Sequence, residues 1–140
     1  MSKFLRVDMT SKQVEFEDVS DKYLALGGRA LTSQLVLDEV PSTCDPLGAY
    51  NKLIIAPGLL SGTSAPSSGR MSVGAKSPLT GTIKEANAGG ITSQKFANLG
   101  IKAIIIEGKP RDKEFYLLKV TPDGVELLPA ADLAGKGTYE

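Results

Sequence analysis

Apolar and polar residues alternate at both ends of this chain, and each alternation folds back across a polar turn. Near the N-terminus Leu5, Val7 and Met9 alternate with Arg6 and Asp8, Thr10-Ser11-Lys12 makes a turn, and Val14 and Phe16 alternate with Gln13, Glu15 and Glu17. A period of two belongs to a strand with one face buried, so this segment reads as a β-hairpin. Near the other end, Phe115 to Val120, the turn Pro122-Asp123-Gly124, and Val125 to Leu128 read as a second hairpin. Hairpins are antiparallel. A chain bracketed by them belongs in the α+β class, with layered β-sheets and a few short helices, rather than to a doubly wound parallel sheet.

The interior supplies the helices and the remaining strands. Ser20 is a candidate helix N-cap, and Gly27-Gly28 interrupts the short helical stretch after it. Leu31, Leu35 and Val36 fall at helical spacing, which predicts a helix from about Ala30 to Glu39 that Pro41 blocks. Turn chemistry fills Pro41 to Asn51. Leu53 to Ala56 is a short apolar strand ended by Pro57-Gly58, and Met71, Val73 and Ala75 alternate as another. A helix is predicted over Ile91 to Leu99, stopped by Gly100, and Ala103 to Ile106 reads as a buried strand. No linker or low-complexity tract divides the chain, so residues 1–140 are expected to form a single domain.

Composition excludes several functions. Sixteen basic and sixteen acidic residues cancel, which leaves no electrostatic case for nucleic acid or an anionic membrane surface. There is no histidine and only one cysteine, Cys44, so a His-dependent triad, an internal disulfide and a cysteine metal cage are all ruled out within this chain. Cys44 sits among turn residues and is given no role. No apolar run approaches membrane-spanning length, and a cytoplasmic protein is expected.

Two segments carry chemistry. Ser61 to Arg70 is almost wholly small or hydroxyl-bearing and ends in an arginine. Small residues let backbone N–H groups approach an anion, and Arg offers a planar fork of donors matched to phosphate. A surface loop with a solvated Arg is the plainer alternative. Glu85 to Gly90 places Gly89-Gly90 just before the predicted helix, where orphan N–H groups can face an anion. A tight turn accounts for such a pair equally well, and neither the phosphate-loop nor the triple-glycine dinucleotide pattern is present.

Leu53 to Pro66, Gly69-Arg70, Ala75 to Gly81, Ala86-Asn87-Ala88-Gly89-Gly90 and Ile104 to Lys109 occur in an order and spacing that resembles the N-terminal domain of the tungsten-containing aldehyde:ferredoxin oxidoreductases. Phe4 to Asp8 and Leu26 to Arg29 also fit. The resemblance implies an α+β base of layered sheets that carries a tungsten bis-pyranopterin (tungstopterin), in an enzyme that oxidises aldehydes to carboxylic acids and reduces ferredoxin. Arg70, Asn87, Ala88 and Gly89 match the cofactor-binding positions. The Asn87 backbone carbonyl matches a ligand of the magnesium that bridges the two cofactor halves, and Asn87 is expected on a turn of unusual backbone angles.

Departures qualify the match. Family members are several times longer, so the iron–sulfur cluster cysteines and later pterin motifs are expected outside this chain, in the remainder of the oxidoreductase or a cluster-bearing subunit. Ala30 replaces a usual glycine, and Lys84-Glu85 puts charge beside Asn87. A truncated N-terminal domain, inactive alone and carrying no catalytic residue, is the expectation, with exposed sheet edges that favour a homo-oligomer. The competing expectation is a non-catalytic scaffold or anion-binding module that kept the fold.

Overall fold

A computed structural model describes residues 2–112 and 114–139. The N-terminal hairpin forms as expected from β1 (Lys3–Asp8) and β2 (Gln13–Asp18). Helix α1 (Asp21–Leu24) and helix α2 (Gly28–Glu39) follow, then β3 (Leu53–Pro57), β4 (Arg70–Lys76), β5 (Ile83–Gly89), α3 (Thr92–Asn98), β6 (Ile101–Glu107), and the hairpin β7 (Tyr116–Thr121) with β8 (Gly124–Pro129). Among the described residues the strands form a six-stranded sheet, ordered β2-β1-β6-β3-β4-β5, and a separate two-stranded sheet β7-β8. Most pairings are antiparallel, and β1 with β6 is the parallel exception. The α+β class read from the terminal hairpins is the class observed.

Alternation sorts the core into two layers. Phe4, Ile54, Ala56, Ala103 and Ile105 face α1 and α2, where Tyr23, Leu31, Leu35 and Val36 meet them. Leu5, Val7, Ile101 and Ile104 face the other way, beneath Phe96 of α3, Leu99 just after it, and Leu118, Val120, Val125 and Leu127 of the second hairpin. Ile104 and Ile105 are neighbours in sequence on opposite sides of one strand, because a strand's side chains point alternately up and down. Leu31 and Leu35 are fully buried one helical turn apart, each worth about 2 kcal/mol of transfer free energy. Helix α2 comes closest to the sheet at Gly74, where an added Cβ would stand 2.7 Å from Thr32 Cβ. Only glycine lets the two backbones approach so nearly.

One expectation fails. Asn87 does not lie on a turn: it is inside β5, directly opposite Ser72 of β4, and its backbone is extended like its neighbours'. The unusual angle comes later, at Gly90 (φ 123). Ala86-Asn87-Ala88-Gly89 has neither β-branched residues nor apolar alternation, so its sequence carries little strand signal. Seven consecutive pairings with β4 make it a strand nonetheless, at the outer edge of the sheet, where both faces are largely exposed and no alternation is required. Ser20 does stand at the N-cap of α1, but its backbone carbonyl, not its hydroxyl, makes the capping bond, to Tyr23 N–H at 2.9 Å.

A charged node ties four elements together at one end of the α2 layer. Arg6 of β1 donates from Nη1 and Nη2 to Glu39 at the end of α2, both at 2.9 Å, and from Nε to Glu17 of β2 at 2.5 Å. Lys52 Nζ bonds Glu107 of β6 and lies 3.0 Å from Glu39. Burial opposes ionisation of Glu39, but Arg6 and Lys52 outweigh it and hold its carboxyl below the ordinary value.

Candidate functional site

Strand β4 begins at Arg70, and the register sets Arg70 opposite Gly89, Met71 opposite Ala88 and Ser72 opposite Asn87. Even-numbered residues of β4 share a face with odd-numbered residues of β5. Arg70, Ser72, Glu85, Asn87 and Gly89 therefore all lie on the α2 side, and Ala88 lies on the other with Met71. The polar side chains join in a chain across the two strands. Arg70 Nη1 donates to Asn87 Oδ1 at 3.0 Å, and Asn87 Nδ2 donates to Ser72 Oγ at 3.2 Å. Two segments separated in sequence thus meet at one place.

The ladder also decides where the backbone of β5 points. Gly90 N–H donates to Gly69 O at 3.0 Å, and Ser77 N–H donates to Thr82 O at 2.8 Å. In an antiparallel pair hydrogen-bonded and non-hydrogen-bonded positions alternate. Met71–Ala88 and Val73–Ala86 are consequently the bonded pairs, and Arg70–Gly89 and Ser72–Asn87 are not. The N–H and C=O groups of Asn87 and Gly89 are directed away from β4, toward the sheet edge on which no further strand is described. Those of Ala88 are turned inward to β4.

Small residues keep this edge open. Gly69 can hold no side chain, since a Cβ there would lie 2.6 Å from Gly90 O. A Cβ on Gly89 would reach only 3.9 Å from Arg70 Nη1, so the flank of the guanidinium is bare. The loop before Arg70 is tied back by Ser61, whose buried hydroxyl donates to Ser68 O at 2.8 Å. The helix expected after Gly90 is present as α3 but is only 7 residues long.

Glu85, Ser72 and Arg29 belong to the same constellation, which no motif in the sequence marks. Arg29 Nε, in the first turn of α2, lies 3.3 Å from Glu85 Oε2. The Ser72 hydroxyl, then Arg29 and Asn87, hold the Glu85 carboxyl below its ordinary value against a smaller opposing effect of burial. The spacing Glu85, Asn87, Gly89 was the signal that would have found them, once the segment is taken as a strand.

A separate cleft lies elsewhere. About 640 Å³ of space opens between the end of α2 and the β4–β5 turn, lined by Val36, Leu37, Val40, Lys76 and Ile83 among others. Its amine is committed: Lys76 Nζ donates to Ser42 O at 2.7 Å and Cys44 O at 2.6 Å. Cys44 is half-buried and free, and its part here is to offer that carbonyl.

Comparison with known proteins decides the family. Residues 4–140 match the family described as "Aldehyde ferredoxin oxidoreductase, N-terminal domain". The chain belongs to the aldehyde ferredoxin oxidoreductase family. It is similar to the tungsten-containing aldehyde ferredoxin oxidoreductase of Thermococcus kodakarensis, 41% identical over 140 residues, covering 99% of this chain and 23% of the relative. The enzyme of the same name from Pyrococcus furiosus is 39% identical over 140 residues and is also covered for 23% of its length. The chain therefore spans under a quarter of the relatives it matches. Among solved structures, a chain of the "active site complex BamBC of Benzoyl Coenzyme A reductase in complex with 1,5 Dienoyl-CoA" superposes with a TM-score of 0.91 at 33% identity, over 99% of this chain and 21% of that one.

Membership in a tungsten-containing family raises the question whether these residues suit such a group. Among the described residues no set of three or more His, Cys, Asp or Glu is placed to hold a metal ion. A metal served by this edge must therefore be carried by a ligand or bound through backbone carbonyls. This edge has both requirements in one place: outward N–H groups and a guanidinium for an anion, and outward carbonyls for a hard cation. The fit is good. No helix among the described residues is long and apolar enough to cross a membrane.

Proposed function

We propose that the outer edge of β4–β5 is one wall of a tungsten pterin site, in an oxidoreductase that converts aldehydes to carboxylic acids and delivers electrons to ferredoxin. The observation that carries this reading is the outward-facing backbone of Asn87 and Gly89 beside the Arg70 guanidinium. When bound, the tungsten pterin supplies the two-electron redox chemistry. The segment itself holds and orients. Arg70 places a fixed positive charge beside a phosphate or cluster, where a partly desolvated cation is worth more than in water. Asn87 and Gly89 offer N–H donors to phosphate oxygens, and the Asn87 carbonyl offers oxygen to a magnesium ion bridging the cofactor halves. Ala88 adds a small uncharged contact on the opposite face of the same strand, beside Met71.

We assign no catalytic residue to this segment. An iron–sulfur cluster needs several thiolates, and one cysteine cannot supply them. Cluster ligation and aldehyde binding fall to the remainder of the oxidoreductase, and this segment is inactive without it.

A second reading has its own support. The structural match named for benzoyl coenzyme A reductase has the same fold at 33% identity, so the fold serves more than one reaction. On that reading the same edge would hold the cofactor of an enzyme acting on a coenzyme A thioester. Arg70→Ala in the full-length oxidoreductase tests what the two readings share. Loss of a charge-assisted contact worth about 1.5–3 kcal/mol should weaken cofactor retention by roughly tenfold or more, read as tungsten per polypeptide. Unchanged tungsten would remove both. Aldehyde oxidation against aryl-thioester reduction, assayed on the wild-type enzyme, separates them.

A further inference from the structure

Glu85 lies on the same face of β5 as Asn87, and the cofactor reading gives it nothing to do. Its Oε1 is buried and accepts no hydrogen bond of ordinary geometry, while Oε2 is 3.3 Å from Arg29 Nε. Ser72, diagonal to it across the ladder, is 1% exposed, and its oxygen accepts from Asn87 Nδ2 at 3.2 Å. A hydroxyl has one proton to give. With its oxygen engaged by Asn87, Ser72 needs an acceptor for that proton. The Glu85 carboxylate, diagonal to Ser72 on the same face, has a buried oxygen in want of a donor.

We infer that Glu85 is a positioning residue that fixes which way the Asn87 amide points, and through it the aim of Arg70. A carboxylate only accepts. Taking the Ser72 proton, it obliges Ser72 to accept from an N–H, so Asn87 turns Nδ2 inward and presents Oδ1 to Arg70 Nη1 at 3.0 Å. Were the amide reversed, its NH₂ would meet a guanidinium that has donors only. The interaction with Arg29 holds the carboxylate in place and ties the device to the first turn of α2. Direction thus runs one way along the relay, from an acceptor-only group to a donor-only group, with two ambivalent groups between them.

The functional consequence rests on the cofactor reading, but the amide's direction is a property of the ligand-free protein and is measured without it. The experiment is NMR of the Asn87 side-chain amide and the Arg70 Nη1–H protons in the ¹⁵N-labelled chain. Glu85→Gln can donate to Ser72 and so permits the reversed amide. Both resonances should move, and exchange of the Arg70 Nη1 protons with water should quicken roughly fivefold to tenfold, the loss of one hydrogen bond of about 1 kcal/mol or slightly more. Ser72→Ala should move the same two resonances, and adding Glu85→Gln to it should move neither further. A Glu85 that merely stabilised the fold would lower the melting temperature and leave both resonances in place. That result, or equal shifts with and without Ser72, overturns the inference. If Glu85→Gln does not fold, Ser72→Ala decides alone: an unmoved Arg70 Nη1–H sinks it. Failure of the cofactor reading would show elsewhere, as undiminished tungsten in Arg70→Ala.

Discussion

Two arginines on the helical side of one sheet illustrate opposite uses of the same side chain. Arg6 is 15% exposed and surrounded by Glu39, Glu17 and Glu107, with Lys52 closing the node, and every partner belongs to a different element. Arg70 is exposed, and its guanidinium donates to one neutral amide, that of Asn87, at a sheet edge whose backbone groups face outward. The first arrangement is saturated. The second has capacity left over. Polar groups that satisfy one another hold a fold together, and polar groups left with unspent donors and acceptors at an open edge are available to a ligand.

The comparison can be broken by substitution. The largest effect is expected at Arg6→Met, which leaves Glu39 and Glu107 partly buried with fewer partners; about 3 kcal/mol of stability should be lost, the lower end for a buried pair, read from urea unfolding. The same variant has a pH signature. Glu39 is held below its ordinary value of 4.5, so it contributes stability that is present above that pH and lost as pH falls through the lowered value. Wild-type stability should therefore drop on acidification below about pH 4.5 more steeply than that of Arg6→Met, in which Glu39 titrates nearer its ordinary value. Equal slopes would count against the node.

Next in size is Gly74→Ala, where a Cβ meets Thr32 at 2.7 Å and α2 must retreat; overpacking of this kind costs about 1–3 kcal/mol. Two asparagines then sharpen the contrast. Asn51 donates to Pro46 O and Lys76 O, at 2.7 and 2.9 Å, and accepts from the N–H groups of Lys52 and Lys76, at 2.8 and 3.0 Å. Asn51→Ala should lower stability by about 2 kcal/mol, since it strands partly buried backbone groups. Asn87→Ala, at an exposed edge, should stay within about 0.5 kcal/mol of wild type in the same assay. Equal losses for the two would mean that the β4–β5 edge is structural after all.

How much of this was legible in the sequence depends on how each feature is encoded. Helix α2 and strand β6 announce themselves because Leu31, Leu35 and Ala103 to Ile106 must be buried, and burial imposes a period. The terminal hairpins are legible for the same reason. Strand β5 has no buried face, so no period marks it, and Ala86-Asn87-Ala88-Gly89-Gly90 reads as a turn leading into a helix. The candidate residues were found through family resemblance, and that Arg70 and Asn87 touch is a matter of register, which neither segment specifies alone. The node of Arg6, Glu39 and Glu107 was not legible at all: its members are 33 and 101 positions from Arg6, and charged residues carry no pattern that predicts their partners.

The separation of fold from function is tested most directly by measuring melting temperature and tungsten content together, for Arg70→Ala and Arg6→Met in the full-length oxidoreductase. Arg70→Ala should melt within a degree or two of wild type and retain little tungsten, while Arg6→Met should melt several degrees lower and keep its tungsten while folded. Normal tungsten in Arg70→Ala, or a loss of metal that merely follows the loss of stability in both, would contradict the account.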